Sequence, residues 1–276
     1  MIAYLVMSYT HPELVRRLVA RLRGGVVAVH HDPRRVALGP IDALVIPPRP
    51  IEWGHGSQLA AILRCLRWMT AHEWDWLVLL SGQDYPVRPV ASIEADLLAA
   101  PVDAFIRHKP IPPRVLRRGA VDEFARRYTY RWRPLRAASW RAPAARLDPL
   151  VQVRRLPSGL FAGVPARPPL PVFHGSDWFS LSRRAVDTVL VAPEEVVDHF
   201  LHTIIPTEAF VHTVLANSGL RLANDHRRYA VFDPPTAPSP RVFGLHDVDE
   251  VLATGADFAR KFADERVLDA IDRRIP

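Results

Sequence analysis

The chain has 276 residues, 49% of them hydrophobic and 24% charged, so it can bury a large core as one α/β domain or two small ones. Its formal net charge of +7 comes almost entirely from arginine, and its single cysteine excludes an internal disulfide framework or a multi-cysteine zinc site. No apolar run approaches the ~20 residues that cross a bilayer, and the start, MIAYLVMSYTHPE, lacks signal-peptide features, so we expect a cytoplasmic protein without a transmembrane segment.

The first hundred residues alternate between strand and helix patterns, which is typical of a parallel sheet of the nucleotide-binding type. Leu14, Leu18 and Leu22 repeat at helical spacing and predict a helix that begins near Pro12. A second amphipathic helix is predicted over residues 57–71. Apolar runs predict strands over residues 2–7, 26–29, 43–46 and 76–80.

The alternation of strand and helix patterns then becomes less regular. A helix is predicted over residues 90–99 and a short strand over 104–106. Order returns with a strand in WFSL after Asp177 and a helix from Arg183, capped by Ser182. Further helices are predicted near residues 193–203, 208–217 and from about 264 onward. No internal repeat or clean linker is visible, so we expect one domain, residues 1–276, with a long insertion.

That insertion, residues 111–171, is rich in arginine and proline and contains RRYTYRWRPLRAASWRAPAAR. The simplest interpretation is a solvated surface loop. A nucleic-acid site is less favoured, because no RNP, zinc-finger or helix-turn-helix pattern accompanies the arginines. A third interpretation is a groove for an anionic or sugar acceptor, since Trp and Tyr faces stack on sugar rings.

Three candidate ligand sites lie at the carboxyl ends of predicted strands, where ligands bind in open α/β sheets. They are Met7-Ser8-Tyr9, His31-Asp32 and the SGQD sequence that ends at Asp84. None of these is a phosphate-cradling glycine loop. Asp32 is placed to bond a ribose or base, and equally to form a turn before Pro33. For Asp84, before Tyr-Pro, a turn is the stronger interpretation.

Metal-binding and hydrolase patterns are poor. HDVDE, with Asp247 and Asp249, superficially offers an Asp-x-Asp pair, but its position ahead of an apolar helical stretch favours helix-start carboxylates. The histidines lack ligand spacing, and adjacent His30 and His31 face opposite ways in a strand. No GxSxG sequence accompanies the serines. We therefore expect no metal and no cofactor.

Two further stretches carry charge at helix starts. Glu208, in IIPTEAFVHTV, is either a helix-end carboxylate or a general base. Arg260 and Lys261, in FARKFADE, stand just before the last predicted helix and are either ordinary solvated cations or an anion site beside its N-terminus. The residues alone leave both pairs of alternatives open.

Together these stretches resemble the core-2/I-branching N-acetylglucosaminyltransferase and peptide O-xylosyltransferase superfamily, most closely its xylosyltransferase side. The similar segments run in order through nearly the whole chain: AYLVMSYTHP, VVAVHHD, IEWGHGSQL, WDWLVLLSGQDYPVRP, HGSDWFSLSRR, IIPTEAFVHTVLANS and FARKFADE. The resemblance implies a glycosyltransferase A-type, Rossmann-like fold with a mostly parallel central sheet flanked by helices. It also implies an inverting, metal-independent enzyme that uses a UDP-sugar as donor.

The resemblance assigns roles to individual positions. Glu208 is expected to be the base, and Asp177 and Trp178 to lie at the donor sugar. The remaining residues are expected on the nucleotide and diphosphate: Met7, Asp32, Ile51, Glu52, Trp53, Ser239, Arg260 and Lys261.

On this basis residues 1–110 are the nucleotide-binding half and residues 172–276 the donor-sugar, base and diphosphate half, with 111–171 as an acceptor region. The sugar is xylose or N-acetylglucosamine, and the acceptor is a hydroxyl of a saccharide, natural product or peptide. The alternative function is a non-catalytic binding module of the same fold whose arginine-rich segment holds an anionic partner or nucleic acid.

Overall fold

The computed structural model describes residues 1–111, 123–135, 152–235 and 237–275. Its centre is a seven-stranded sheet with the order β11-β6-β10-β4-β1-β2-β3. Within it, β4, β1, β2 and β3 are parallel neighbours, while β10 runs antiparallel to both β4 and β6. The strands are β1 (Ile2–Ser8), β2 (Val26–His31), β3 (Leu44–Ile46), β4 (Trp76–Ser81), β6 (Ala104–Pro110), β10 (Phe173–Ser182) and β11 (Leu222–Ala223).

Helices cover both faces of this sheet, because successive strand side chains point to opposite sides. Ala3 and Leu5 of β1 belong to one apolar core, and Tyr4 and Val6 belong to the other. The first core packs against α2 (Gly56–Met69), α5 (Arg183–Leu190), α6 (Glu194–Leu201) and α7 (Phe210–Ala216). The second packs against α1 (Pro12–Arg21), α3 (Val90–Leu98), α8 (Val248–Ala253) and α9 (Glu265–Asp272).

The predicted α/β class with a mostly parallel central sheet flanked by helices is confirmed. Pro12 begins α1, and the Ser182 hydroxyl accepts a hydrogen bond from the Ala185 amide at 3.2 Å, as expected of an N-cap. Cys65 is fully buried on the apolar side of α2. None of the helices in the described ranges is long and apolar enough to cross a membrane.

Two smaller sheets were not predicted. One, β12-β13-β5, joins β12 (Arg228–Ala230), β13 (Phe258–Arg260) and β5 (Tyr85–Pro86). The other, β7-β9-β8, joins β7 (Tyr130–Pro134), β9 (Gly159–Pro165) and β8 (Gln152–Leu156), and it follows helix α4 (Glu123–Tyr128). These strands are too short and too rich in Arg, Gly and Pro to give a clear two-residue period.

The solvated-loop interpretation of residues 111–171 is therefore wrong for the part that the structure describes. Tyr130, Trp132 and Phe161 of the β7-β9-β8 sheet are buried against Ile204 and Ile205, just ahead of Glu208. Residues 112–122 and 136–151 of the proposed acceptor region lie outside the described residues.

Two local expectations at helix starts also need correction. Glu208 does not open a long helix, because it ends a 3-10 turn, Pro206–Glu208, and α7 begins only at Phe210. One of the helix N–H groups expected to be free beside Arg260 and Lys261 is already bonded. Arg260 ends β13, and the N-cap of α9 is occupied by Asp264, whose carboxylate accepts from the Arg266 amide at 2.9 Å.

Candidate active site

A cavity of about 590 Å³ opens at the carboxyl ends of β1, β2 and β4, where ligands bind in open α/β sheets. The backbone approaches closely there. A Cβ at Gly82 would lie 2.6 Å from Val15 Cγ2 and 3.0 Å from Ser8 Cβ, so only glycine fits directly after β4. The residues named from the sequence that line the cavity are Met7, Asp32, Ile51, Glu52, Trp53, Asp177, Trp178 and Arg260.

Asp32 is held at the end of β2 by the Arg34 side chain and by two backbone amides, those of Ile51 and Arg34. Arg34 Nη2 donates to Asp32 Oδ2 at 2.7 Å, and the Ile51 amide donates to the same oxygen at 3.0 Å. Arg34 also bonds the Glu52 carboxylate at 2.6 Å. These contacts hold the pKa of Asp32 at about 2, chiefly through the hydrogen bonds from Arg34. Asp32 is thus a permanently ionised acceptor beside the cavity, and Arg34 is a component that sequence reasoning missed.

Asp177 and Trp178 reach the cavity through a bulge in β10. Gly175 pairs with His108 and Phe179 with Ile106, so three residues of β10 stand opposite one residue of β6. A Cβ at Gly175 would lie 1.7 Å from the Arg107 carbonyl oxygen, which explains the glycine. Bulges re-aim side chains next to functional sites, and this one accounts for the placement of the Asp-Trp pair.

Arg260 is brought to the same cavity by β13, which pairs with β5 directly after the SGQD turn. Its Nε lies 3.5 Å from Asp84 Oδ1, and its guanidinium carbon lies 4.2 Å from the centroid of the Trp178 ring. Asp84 is buried, and it also accepts bonds from the Ser81 amide at 2.8 Å and hydroxyl at 2.9 Å. The predicted turn at Asp84 is present, and the same carboxylate holds a cavity cation.

Lys261 and Ser239, remote in sequence, lie together beside Arg260. Lys261 Nζ donates to Ser239 Oγ at 3.4 Å. Burial, and secondarily the neighbouring Arg260, lower the pKa of Lys261. Two adjacent cations of this kind favour an anionic ligand, because its charge would relieve their repulsion.

Glu208 interacts electrostatically with Asp177 and forms an ion pair with a cation from the insertion. Arg127 Nη1 donates to Glu208 Oε2 at 2.9 Å. Burial, and then the Asp177 carboxylate, raise the pKa of Glu208 to about 8, while Arg127 opposes them. Burial also raises the pKa of Asp177, opposed by Thr207 and Arg260.

The backbone just before Glu208 is held in an unusual conformation. Ile205 has φ 51°, the left-handed region that disfavours β-branched residues. Its amide donates to the Gly54 carbonyl at 2.9 Å, and its own carbonyl accepts from the Tyr128 hydroxyl at 3.1 Å. Such strained residues cluster at functional sites because the surrounding structure must hold them.

Comparison with known proteins places the chain in a family. The model of the family described as Branch: Core-2/I-Branching enzyme matches residues 2–252. The chain belongs to the core-2/I-branching enzyme family. The match ends eight residues before Arg260, so Arg260 and Lys261 lie outside the matched region.

Among curated relatives of this core-2/I-branching family member, Xylosyltransferase 1 of Mus musculus is 29% identical over 236 residues. That match covers 76% of this chain and 22% of the relative. Xylosyltransferase oxt of Drosophila melanogaster is 28% identical over 176 residues, covering 60% of this chain and 17% of the relative. The chain thus spans about a fifth of the length of the curated relatives that it matches.

Solved structures with low sequence identity also match the chain. A CMP:2-keto-3-deoxy-manno-octonic acid synthetase complexed with CTP is 13% identical with a TM-score of 0.35, covering 80% of this chain and 87% of that chain. A TM-score of this size does not establish a shared fold. The architecture of the core-2/I-branching family member is therefore described from its own sheet topology.

The structure brings most of the residues named from the sequence into one region. Eight line the cavity, while Lys261 and Ser239 lie beside Arg260, and Glu208 interacts electrostatically with Asp177. The sequence missed Arg34 and Arg127 as parts of this site, and for Asp84 it favoured a turn over a role in the site. No sequence signal distinguished Arg127 among the many arginines of its segment.

Within residues 1–111, 123–135, 152–235 and 237–275, no group of three or more His, Cys, Asp or Glu side chains is placed to hold a metal ion. Asp247, from the HDVDE sequence, ends a 3-10 turn directly before α8, and its carboxylate accepts from the Gly244 amide at 2.7 Å. The expected helix-start role of that residue is confirmed.

Proposed function

We propose that the chain is a glycosyltransferase that moves a sugar, xylose or N-acetylglucosamine, from a UDP-sugar to an acceptor hydroxyl, with inversion and without a divalent metal. One observation carries the proposal. Asp177 and Arg260 line a cavity on the carboxyl edge of the sheet, and each has a like-charged neighbour, the half-buried Glu208 beside Asp177 and Lys261 beside Arg260. The family and the xylosyltransferase relatives support the same reaction class.

The nucleotide would occupy the part of the cavity at the ends of β1 and β2. Asp32 is ionised and fixed beside the cavity, so it is the proposed acceptor for a ribose or uracil donor, which would share the carboxylate with Arg34. Met7 and the backbone of Ile51 and Glu52 supply the adjoining wall, and the Trp53 ring is exposed.

The donor sugar would lie against the β10 bulge. Asp177 Oδ1 is buried and has no hydrogen-bond partner among the described residues, and sugar hydroxyls are donors that would satisfy it. The Trp178 ring forms part of the same wall, and its face is already engaged by Arg260 on one side.

Transfer needs a base for the acceptor hydroxyl and positive charge for the departing diphosphate. Glu208 is the proposed base, and a positioned base of this kind contributes about 10²–10⁴-fold to the rate. Arg260 and Lys261 would stabilise the charge that develops on UDP as the glycosidic bond breaks, a role that a bound metal can serve in other enzymes. Attack opposite the departing UDP inverts the anomeric carbon.

The test is UDP release from UDP-xylose and UDP-N-acetylglucosamine with a panel of hydroxyl acceptors, with and without EDTA. We expect turnover with one donor, undiminished by EDTA, and a product whose anomeric configuration by NMR is opposite to that of the donor. Abolition by EDTA would contradict metal independence. Salt-sensitive nucleic-acid binding without turnover of either donor would favour the non-catalytic module instead.

Two variants locate the chemistry within the chain. Glu208→Gln should bind UDP normally by calorimetry while transfer falls by at least about 10²-fold. Lys261→Ala should weaken UDP binding more than uridine binding, because only UDP carries the diphosphate. Lys109→Ala is the matched control, since Lys109 is the one other lysine of the sequence.

A further inference from the structure

We infer that Arg127, in helix α4 of the arginine- and proline-rich segment, is a positioning residue that holds the Glu208 carboxylate in place and favours its ionised form. The segment that docks beside the base would thereby set the reactivity of the base. This inference rests on the proposed role of Glu208 as general base.

The first support is the direct contact. Arg127 Nη1 lies 2.9 Å from Glu208 Oε2, and the two side chains are only 14% and 27% exposed. A partly buried pair is less screened than a surface pair, so the arginine strongly favours the charged form of the carboxylate. It also fixes the direction of one carboxylate oxygen.

The second support is the rigid seat of Arg127. The next residue, Tyr128, is fully buried, and its hydroxyl donates to the Ile205 carbonyl at 3.1 Å. The Tyr128 carbonyl lies 2.8 Å from His199 Nε2, and the Ile204 amide donates to the Arg127 carbonyl at 3.4 Å. Helix α4 is therefore tied to the backbone on the approach to Glu208 and to helix α6.

The third support is the balance of charge around Glu208. Burial and the Asp177 carboxylate, which reaches it from β10, both favour a protonated Glu208. Arg127 opposes both influences, because it lowers the pKa of Glu208. The cavity cation Arg260 lowers the pKa of Asp177 instead. The Tyr128 phenol stays neutral, because burial raises its pKa. Without Arg127 these influences would keep the carboxyl protonated to a still higher pH, and a protonated carboxyl cannot accept the proton of an acceptor hydroxyl.

The experiment compares the pH dependence of kcat/KM for the wild-type chain, Arg127→Gln and Arg127→Lys. For Arg127→Gln we expect the acidic limb to move to higher pH by at least ~1 pH unit, with a loss of about 10-fold or more at pH 7 that recovers at high pH. Arg127→Lys keeps the charge and should restore part of the shift. The KM for the UDP-sugar should change little.

Arg131→Gln is the matched control, because it removes a similar ion pair from the same segment. Arg131 Nη1 lies 2.7 Å from Asp198 Oδ2, on the outer surface of helix α6. The pH profile of this variant should match that of the wild type. UDP calorimetry on each variant confirms that the fold and the donor site persist.

The inference would be overturned by a pH-independent loss or a wild-type profile in Arg127→Gln, or by the same displacement of the acidic limb in Arg131→Gln. Glu208→Gln, measured alongside, separates this failure from failure of the proposed function. If Glu208→Gln is inactive while Arg127→Gln keeps the wild-type profile, the inference alone is wrong. If Glu208→Gln retains full turnover, the base assignment is wrong and the inference falls with it.

Discussion

Arg260 and Trp178, which are 82 residues apart in the chain, meet with the guanidinium carbon 4.2 Å from the centroid of the indole ring. The contact joins the proposed diphosphate cation to the proposed donor-sugar wall. Cation–π pairs contribute about 0.5–2 kcal/mol.

Trp178→Leu should therefore raise the calorimetric Kd for UDP by about 2- to 30-fold, because Arg260 loses the surface that orients it. Trp178→Phe should show a smaller change, since a phenyl ring keeps part of the interaction. Trp74→Leu removes a similar contact with Arg183, at 4.8 Å, away from the cavity lining. An unchanged Kd for UDP in Trp178→Leu would show that the ring does not position the cation.

Asp84 is fully buried and interacts with two arginines, Arg260 at 3.5 Å and the buried Arg228. Removing one partner from a buried charge network lowers the free energy of unfolding by about 3–5 kcal/mol. We expect Asp84→Asn to lower the free energy of unfolding in urea by that amount. Asp96→Asn is the control: Asp96 also pairs with two arginines, but its side chain is 46% exposed, so a loss below about 1 kcal/mol is expected. Equal losses in the two variants would contradict this account of Asp84.

The Glu208 carboxyl makes stability depend on pH in a defined direction. Its pKa in the folded protein is about 8 against an ordinary value of 4.5, so between these values the folded state binds more protons than the unfolded chain. Stability contributed by this group is therefore present below pH 4.5 and declines as pH rises toward 8.

The Gln side chain of Glu208→Gln has no proton to lose. The free energy of unfolding of this variant minus that of the wild type should therefore rise from pH 5 to pH 9. We expect a gain on the order of 1–3 kcal/mol at pH 9, since a tenfold change in a proton equilibrium corresponds to about 1.4 kcal/mol. Urea unfolding at pH 5, 7 and 9 measures it. Glu195→Gln, at an exposed position on α6, should give a difference that stays flat with pH. A flat difference for Glu208→Gln as well would show that this carboxyl ionises normally.

Gly175 permits the bulge that presents Asp177 and Trp178. Gly175→Ala would place a Cβ 1.7 Å from the Arg107 carbonyl oxygen, and a backbone atom cannot move aside cheaply. We expect destabilisation of about 1–3 kcal/mol together with weakened UDP-sugar binding, measured by urea unfolding and calorimetry. Gly24→Ala, whose Cβ would make an ordinary 3.5 Å contact with Glu94, should leave donor binding unchanged. Wild-type donor binding in Gly175→Ala would mean that the bulge does not place the pair.

The sequence predicted the central strands and the main helices well. The reason is that the side chains buried in the core form long apolar runs in strands and repeat at helical spacing in helices. The strands at β1, β2 and β4 and the helices α1, α2 and α5 lie close to their predicted positions. The ten-residue β10 was predicted only as WFSL, because its bulged half is polar and half-buried. Short strands such as β5 and β13 escaped prediction, since they pair with each other across more than 170 residues.

The sequence by itself determined the family resemblance, the α/β class and the identity of most residues in the candidate site, because these depend on local patterns and on short sequence motifs. Only the tertiary structure decided which charges meet. Two ion pairs join distant segments of the chain, that of Asp84 with Arg260 and that of Arg127 with Glu208. No local spacing in the sequence encodes such contacts. Their effect on reactivity arises from burial and distance, which exist only once the strands and helices have packed together.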